Sequence, residues 1–179
     1  MFYTNPFAEL ISFMPVEVLQ AFVILMVAMV VLGTILDMAH KKNAKYFFIN
    51  YKKATESATK KVSAGEKAAV ISKTIASDIL TTSELGRGQR RAAHLLGMYG
   101  SILFWICSAV LIFAYTGVAK EAPYQVSALW HLGALMTCLG GYWFWFFLRV
   151  DVSAEANPWK RIIRADLFVL SLLAAATFG

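Results

Sequence analysis

The chain has 179 residues, of which 59% are hydrophobic and 16% charged, against the roughly 25% charged residues of a soluble globular domain. That composition excludes an ordinary water-soluble fold. The formal net charge of +6 does not point to nucleic acid, because the basic residues track the ends of long apolar runs and not an aromatic-lined basic groove.

Residues 1–16 contain no Lys or Arg. A cleavable signal carries its positive charge ahead of a short apolar stretch, so the first apolar run is predicted to be a retained signal anchor. Pro6 and Pro15, with Phe2, Tyr3, Phe7 and Phe13, predict a short interfacial segment leading into it. Apolar runs then cover 16–38, 95–116, 126–148 and 165–179. A bilayer core of about 30 Å takes roughly 20 apolar residues in helical form, since lipid offers no partner to an open backbone. The first three runs reach that length. The fourth ends without a basic residue or polar cap and reads as a span that continues past the sequence. The expectation is an all-α, polytopic transmembrane helix bundle, a single membrane domain over 1–179 with at least four spans and a long amphipathic loop, 39–94, between spans 1 and 2.

All but one of the 17 Lys and Arg residues fall in 39–95 and 149–164. Basic loops resist translocation, so both segments are predicted to be cytoplasmic. The N-terminus, with Glu9 and Glu17, and the loop carrying Lys120 and Glu121 are predicted to lie outside. Within the long loop, 43–61 is rich in Lys and aromatic residues (Phe47, Phe48, Tyr51) around Ile49, which fits a helix or hairpin at headgroup level with its lysines snorkelled outward. Ile71, Ile75 and Ile79 recur every four residues in 69–80 and predict an amphipathic helix, Thr82 with Ser83 offers a cap, and Gly86 and Gly88 break the pattern before Arg90 and Arg91. This loop reads as a docking surface for a soluble partner or as a segment resting on anionic lipids.

Cys107 and Cys138 both sit inside spans and form no cluster, so no zinc or iron–sulfur site is expected in the chain itself. The histidines carry more chemistry. His94, Gly97 and Ser101 stand at i, i+3 and i+7 of the second span and share a helix face with little bulk beyond the imidazole. A porphyrin lying against a helix needs an axial imidazole and absent side chains beside it. Arg90 and Arg91 are near enough to meet haem propionates or lipid phosphates. The same small residues also fit a close helix contact. His131 lies near the outer end of the third span, roughly 20–30 Å from the depth of His94, so the two metal-ligand candidates, His94 and His131, cannot share one haem. His40 lies at the inner depth, either as a second ligand or merely hydrated. Asp37 and Asp166 stand at the inner membrane edge, the latter beside Arg164, while His131 with Tyr124, Gln125 and Glu121 forms an outer candidate for quinol chemistry. No helix breaks of the kind transporters use are visible apart from Gly140–Gly141.

The stretch Ser77-Asp78-Ile79-Leu80-Thr81-Thr82-Ser83, followed by Arg90-Arg91-Ala92-Ala93-His94 and Tyr99-Gly100, resembles the entry to a haem-binding span in membrane cytochrome b subunits of the respiratory nitrate reductase gamma and heterodisulfide reductase type. Residues 166–179 similarly resemble the opening of a later span in that group, and the general appearance is that of its sulfur-metabolism members, among them the quinone-interacting oxidoreductase subunit and the adenylylsulfate reductase membrane anchor. The resemblance covers about 75–179. It implies a multi-pass subunit of a prokaryotic cytoplasmic membrane, carrying one or two haem b groups and using quinone as exchangeable substrate. Cytoplasmic iron–sulfur or flavin redox subunits would be its partners, and the chain would itself be non-catalytic or quinone-reactive. His94 matches the first ligand position of the group. The chain departs from the nitrate reductase pattern at Phe104, where that pattern has a second histidine on the same helix, so a haem-free structural anchor for a soluble oxidoreductase is the alternative.

Overall fold

A computed structural model describes residues 5–59, 62–86, 88–116, 122–149, 160–164 and 166–179, and every regular element among them is helical. The predicted outer loop with Lys120 and Glu121 lies outside the described residues, as do Phe2, Tyr3, Lys60, Lys61, Arg87 and 150–159. The chain falls into two compact units, one made of Met1–Val16 with Thr74–Gly179 and the other of Glu17–Lys73.

In the unit Glu17–Lys73 the main element is α2, Val16–Lys41, 26 residues of mean hydropathy 2.6 over its most apolar stretch. At 1.5 Å per residue it is about 39 Å long, enough to cross a bilayer core. Phe22, Ile24, Leu25, Val27 and Val30 are all exposed and lie on several sides of it; a helix apolar all round is the form a lipid-facing span takes. Asp37 pairs with Lys41 at 2.9 Å near its last turn. Lys42, at φ 53°, ends the helix, and α3, Asn43–Glu56, begins at the next residue. α4, Ala64–Thr74, opens on a capping box: Ser63 N–H donates to Glu66 Oε2 at 2.9 Å while Glu66 N–H donates to Ser63 Oγ at 3.2 Å, which satisfies two of the donors a helix start leaves open.

The other unit holds α1 (Ala8–Phe13), α5 (Gln89–Ala114), α6 (Tyr124–Trp143) and α7 (Asp166–Phe178). α5 and α6 form an antiparallel hairpin whose crossing is made by glycine. A Cβ on Gly133 would sit 2.6 Å from Phe104 N, one on Gly100 2.6 Å from Thr137 N, and one on Gly140 2.5 Å from Gly97 N. Absent side chains let the two backbones touch, as in many membrane helix pairs. Farther along, Trp130 lies tilted against Phe104 at 4.9 Å, meets Phe7 edge-to-face at 5.8 Å, and donates its Nε1–H to Ser108 Oγ at 2.8 Å. Asn5 Nδ2 donates to Tyr115 O at 3.1 Å, tying the N-terminal segment to the end of α5.

α6 runs on through a wider, π-helical turn, Phe144–Leu148, and α7 packs on α6 with Leu173 against Gly141 and a 2.7 Å hydrogen bond between Tyr142 and Thr177 hydroxyls. Three helices, α2, α5 and α6 with its extension, are long and apolar enough to cross a membrane. The predicted fourth span corresponds to α7, whose 13 residues reach about 20 Å, short of a bilayer core. Asp166 does not pair with its neighbour Arg164. Its Oδ2 meets Arg149 Nη2 instead, and the Arg149 guanidinium lies 4.2 Å over the Trp145 ring. Thr82 does not act as a cap either: it takes φ 47°, makes no capping bond, and its Oγ1 is buried without a hydrogen-bond partner.

Candidate functional site

The helical hairpin and α7 enclose a groove of about 500 Å³, within the size range of cofactor and ligand sites. α5 supplies Ala93, Gly97, Met98 and Ser101; α6 and its extension supply Thr137, Gly140, Gly141, Phe144 and Leu148; α7 closes the far wall with Phe168, Val169, Leu172 and Leu173. The walls are almost wholly apolar. Arg90 and His94, both exposed, stand at one end beside Leu85.

Four of the sequence-predicted site residues, Arg90, His94, Gly97 and Ser101, therefore line one groove. Gly97 answers both readings of the small-residue face. Its backbone N abuts Gly140 across the helix crossing, yet a Cβ on Gly97 itself would meet nothing within 4 Å; the glycine opens the groove wall while its backbone makes the helix contact. Ser101 Oγ donates to Met98 O at 3.0 Å on its own helix, so its hydroxyl is engaged locally and its small size is what it contributes.

The other candidates lie elsewhere. Arg91 Nε donates to Thr81 O at 2.7 Å, and Tyr99 OH to Leu80 O at 2.6 Å, so these two side chains clamp the connector ahead of α5 and Arg91 does not line the groove. His131 is also outside it. Its Nδ1–H donates to Ser127 O at 2.7 Å and its ring meets Trp130 edge-on at 5.0 Å; a carbonyl can only accept, so the proton sits on Nδ1. Gly140 abuts Ala93 and Gly97, and nine residues (140 − 131) of α6 rise about 14 Å. That is less than the depth gap read from the spans, and still too far for His94 and His131 to face one iron. His40 is exposed in the unit Glu17–Lys73. Tyr124 and Gln125 are exposed in the first turn of α6, and Glu121 lies outside the described residues.

The chemistry of the lining suits a haem on one side only. The donor set offers one imidazole, a guanidinium at the mouth for a carboxylate, apolar walls and an unfilled glycine face. Met98 also lines the groove and carries a thioether, but at i+4 from His94 it projects from the same side of the same helix, so it adds no donor from another wall. Among the described residues no group of three or more His, Cys, Asp or Glu could hold a metal ion. The α6 and α7 walls escaped sequence reading because apolar residues facing a groove and those facing lipid look alike; Gly140–Gly141, noted only as a break, was the one available signal. No family model, curated protein or solved structure matches the chain.

Proposed function

We propose that the chain is a membrane-embedded subunit of a quinone-linked oxidoreductase, passing electrons between the quinone pool and a soluble iron–sulfur or flavin partner on the cytoplasmic side through a b-type haem held at His94. The observation that carries the reading is His94 and Arg90 standing together at the mouth of an apolar groove of about 500 Å³ whose wall is opened by Gly97. The resemblance of the stretch 77–100 to haem-binding spans supports it, including the sulfur-metabolism setting of the similar subunits.

In this reading haem, when bound, supplies one-electron transfer. The chain's own residues do the rest. His94 would supply an imidazole nitrogen to the iron, and Arg90 a guanidinium that suits a propionate. Phe144, Phe168 and Leu172 line the groove and would keep water from the bound group, a low-dielectric wall of the kind that tunes potential.

The presence of a single imidazole in the groove favours a second reading, the haem-free anchor that tethers a soluble oxidoreductase. A pyridine-haemochrome spectrum of the purified protein separates the two. Haem at or near one equivalent, lost in His94→Ala with membrane insertion retained, is expected; haem content and spectrum unchanged in His94→Ala would remove His94 from the site. Absence of haem from the wild-type protein purified after haem-supplemented expression would leave the anchor.

A further inference from the structure

We propose that α3 is an in-plane anchor that binds anionic lipid headgroups at the surface of the membrane α2 crosses. α2 is apolar over 26 residues and stops at Lys41, and a single residue, Lys42 at φ 53°, separates it from α3. A left-handed residue cannot extend a right-handed helix, so the chain turns there. α3 therefore starts within two residues of the end of a span, which is headgroup depth.

The faces of α3 suit that depth. At about 100° per residue, Ala44, Phe47, Phe48, Tyr51 and Ala54 share one side, and Lys45, Ile49, Lys52, Lys53 and Glu56 the other. The rings form a plate: Phe47 meets Phe48 edge-to-face at 5.5 Å and stacks with Tyr51 at 6.4 Å. Phe47 is 63% exposed and Phe48 66%. Aromatic rings in such a plate belong at the boundary of acyl chains and headgroups, where an amphipathic helix lies in the plane. Lysines on the flanks then reach phosphates with their apolar stems along the boundary.

Charge selects anionic lipid. From 41 to 56 the chain carries Lys41, Lys42, Lys45, Lys52 and Lys53 against Glu56. The Lys52–Glu56 pair is long, at 3.8 Å, and its side chains are 78% and 65% exposed, so it competes weakly with a phosphate. An acidic soluble protein would satisfy the lysines but leave the aromatic plate uncovered; the bilayer that receives α2 supplies both partners at once.

The test uses the full-length chain with Cys107→Ala and Cys138→Ala in nanodiscs of phosphatidylcholine, with or without phosphatidylglycerol, and an environment-sensitive fluorophore on Ala44→Cys or Ile49→Cys. In anionic discs the label at 44 should be quenched by nitroxide lipid and show about threefold less access to aqueous acrylamide than the label at 49, as for a helix embedded on one side. Lys45→Gln/Lys52→Gln/Lys53→Gln should lose that difference, since each lysine near an anionic surface changes association about fivefold, and the corresponding triple Arg variant should keep it. Equal access at 44 and 49 in anionic discs overturns the proposal. A difference undiminished in neutral discs overturns the anionic preference, and protection that requires added polyglutamate assigns the lysines to a protein partner.

Discussion

At the residue scale, glycine does two opposite things along α5 and α6, and the difference is testable by the smallest possible change. A Cβ on Gly140 would meet backbone atoms at 2.5 and 2.6 Å, Gly97 N and Ala93 O. Neither can swing away as a side chain would, so the helices must separate. Gly140→Ala is expected to cost about 1–3 kcal/mol, the usual range for overpacking a tight contact. Gly97→Ala meets open space and gains helix propensity, so stability should hold or rise by up to about 1 kcal/mol, while the methyl narrows the groove. Thermal unfolding in detergent, followed by tryptophan emission, compares them; a Gly140→Ala protein as stable as Gly97→Ala would show that the crossing is looser than described. The pairing of His94 with Gly97 was legible in the sequence because helix periodicity places them on one face. The role of Gly140 was not, because only the partner helix reveals which side of a glycine is crowded.

At the element scale, the apolar runs predicted the long helices well and their ends less well. The run at 95–116 becomes the helix Gln89–Ala114, which starts earlier because Arg90 and Arg91 sit in helical form ahead of the apolar stretch, where periodicity of hydropathy has no voice. Ile71, Ile75 and Ile79 do lie on helical turns, but the α4 helix gives way to a π-helical turn at Ile75–Leu80. The attachment of α7 was also hidden, since it depends on Arg149 bridging to Asp166 across 17 residues of sequence. Asp166 also accepts from Ile163 N–H at 2.8 Å, and Arg149 and Asp166 side chains are 9% and 14% exposed. A partly hidden charge that loses its partner is left uncompensated, so Asp166→Asn and Arg149→Gln should both loosen the start of α7 while leaving the α5–α6 hairpin in place. Hydrogen exchange reads this directly: faster exchange confined to 166–172 is expected, and exchange unchanged there in both variants would remove the pair from the docking of α7.

At the scale of the whole molecule, the distribution of charge predicts the direction in which α2, α5 and α6 would cross a membrane. The basic residues that flank α2, α5 and α6 fall at the end of α2, the start of α5 and the end of α6: Lys41 and Lys42, Arg90 and Arg91, and Arg149. If α2, α5 and α6 are three successive spans, alternation would put those three ends on one side of the membrane and leave Glu17, in the first turn of α2, and the Lys120 segment of the sequence for the other. Loops rich in Lys and Arg are retained on the cytoplasmic side, so the orientation expected is N-terminus out, with α3, α4 and the segment holding Lys160 inside. In that orientation the groove mouth at Arg90 and His94 would open toward the cytoplasm, the side on which the proposed function puts the soluble partner. Single cysteines in the Cys107→Ala/Cys138→Ala background test the orientation in intact cells with a membrane-impermeant maleimide. Lys120→Cys should react at once, whereas Lys53→Cys and Lys160→Cys should react only after permeabilisation. The reverse pattern would invert the protein, turn the groove mouth to the outside, and remove the cytoplasmic partner from the proposed function.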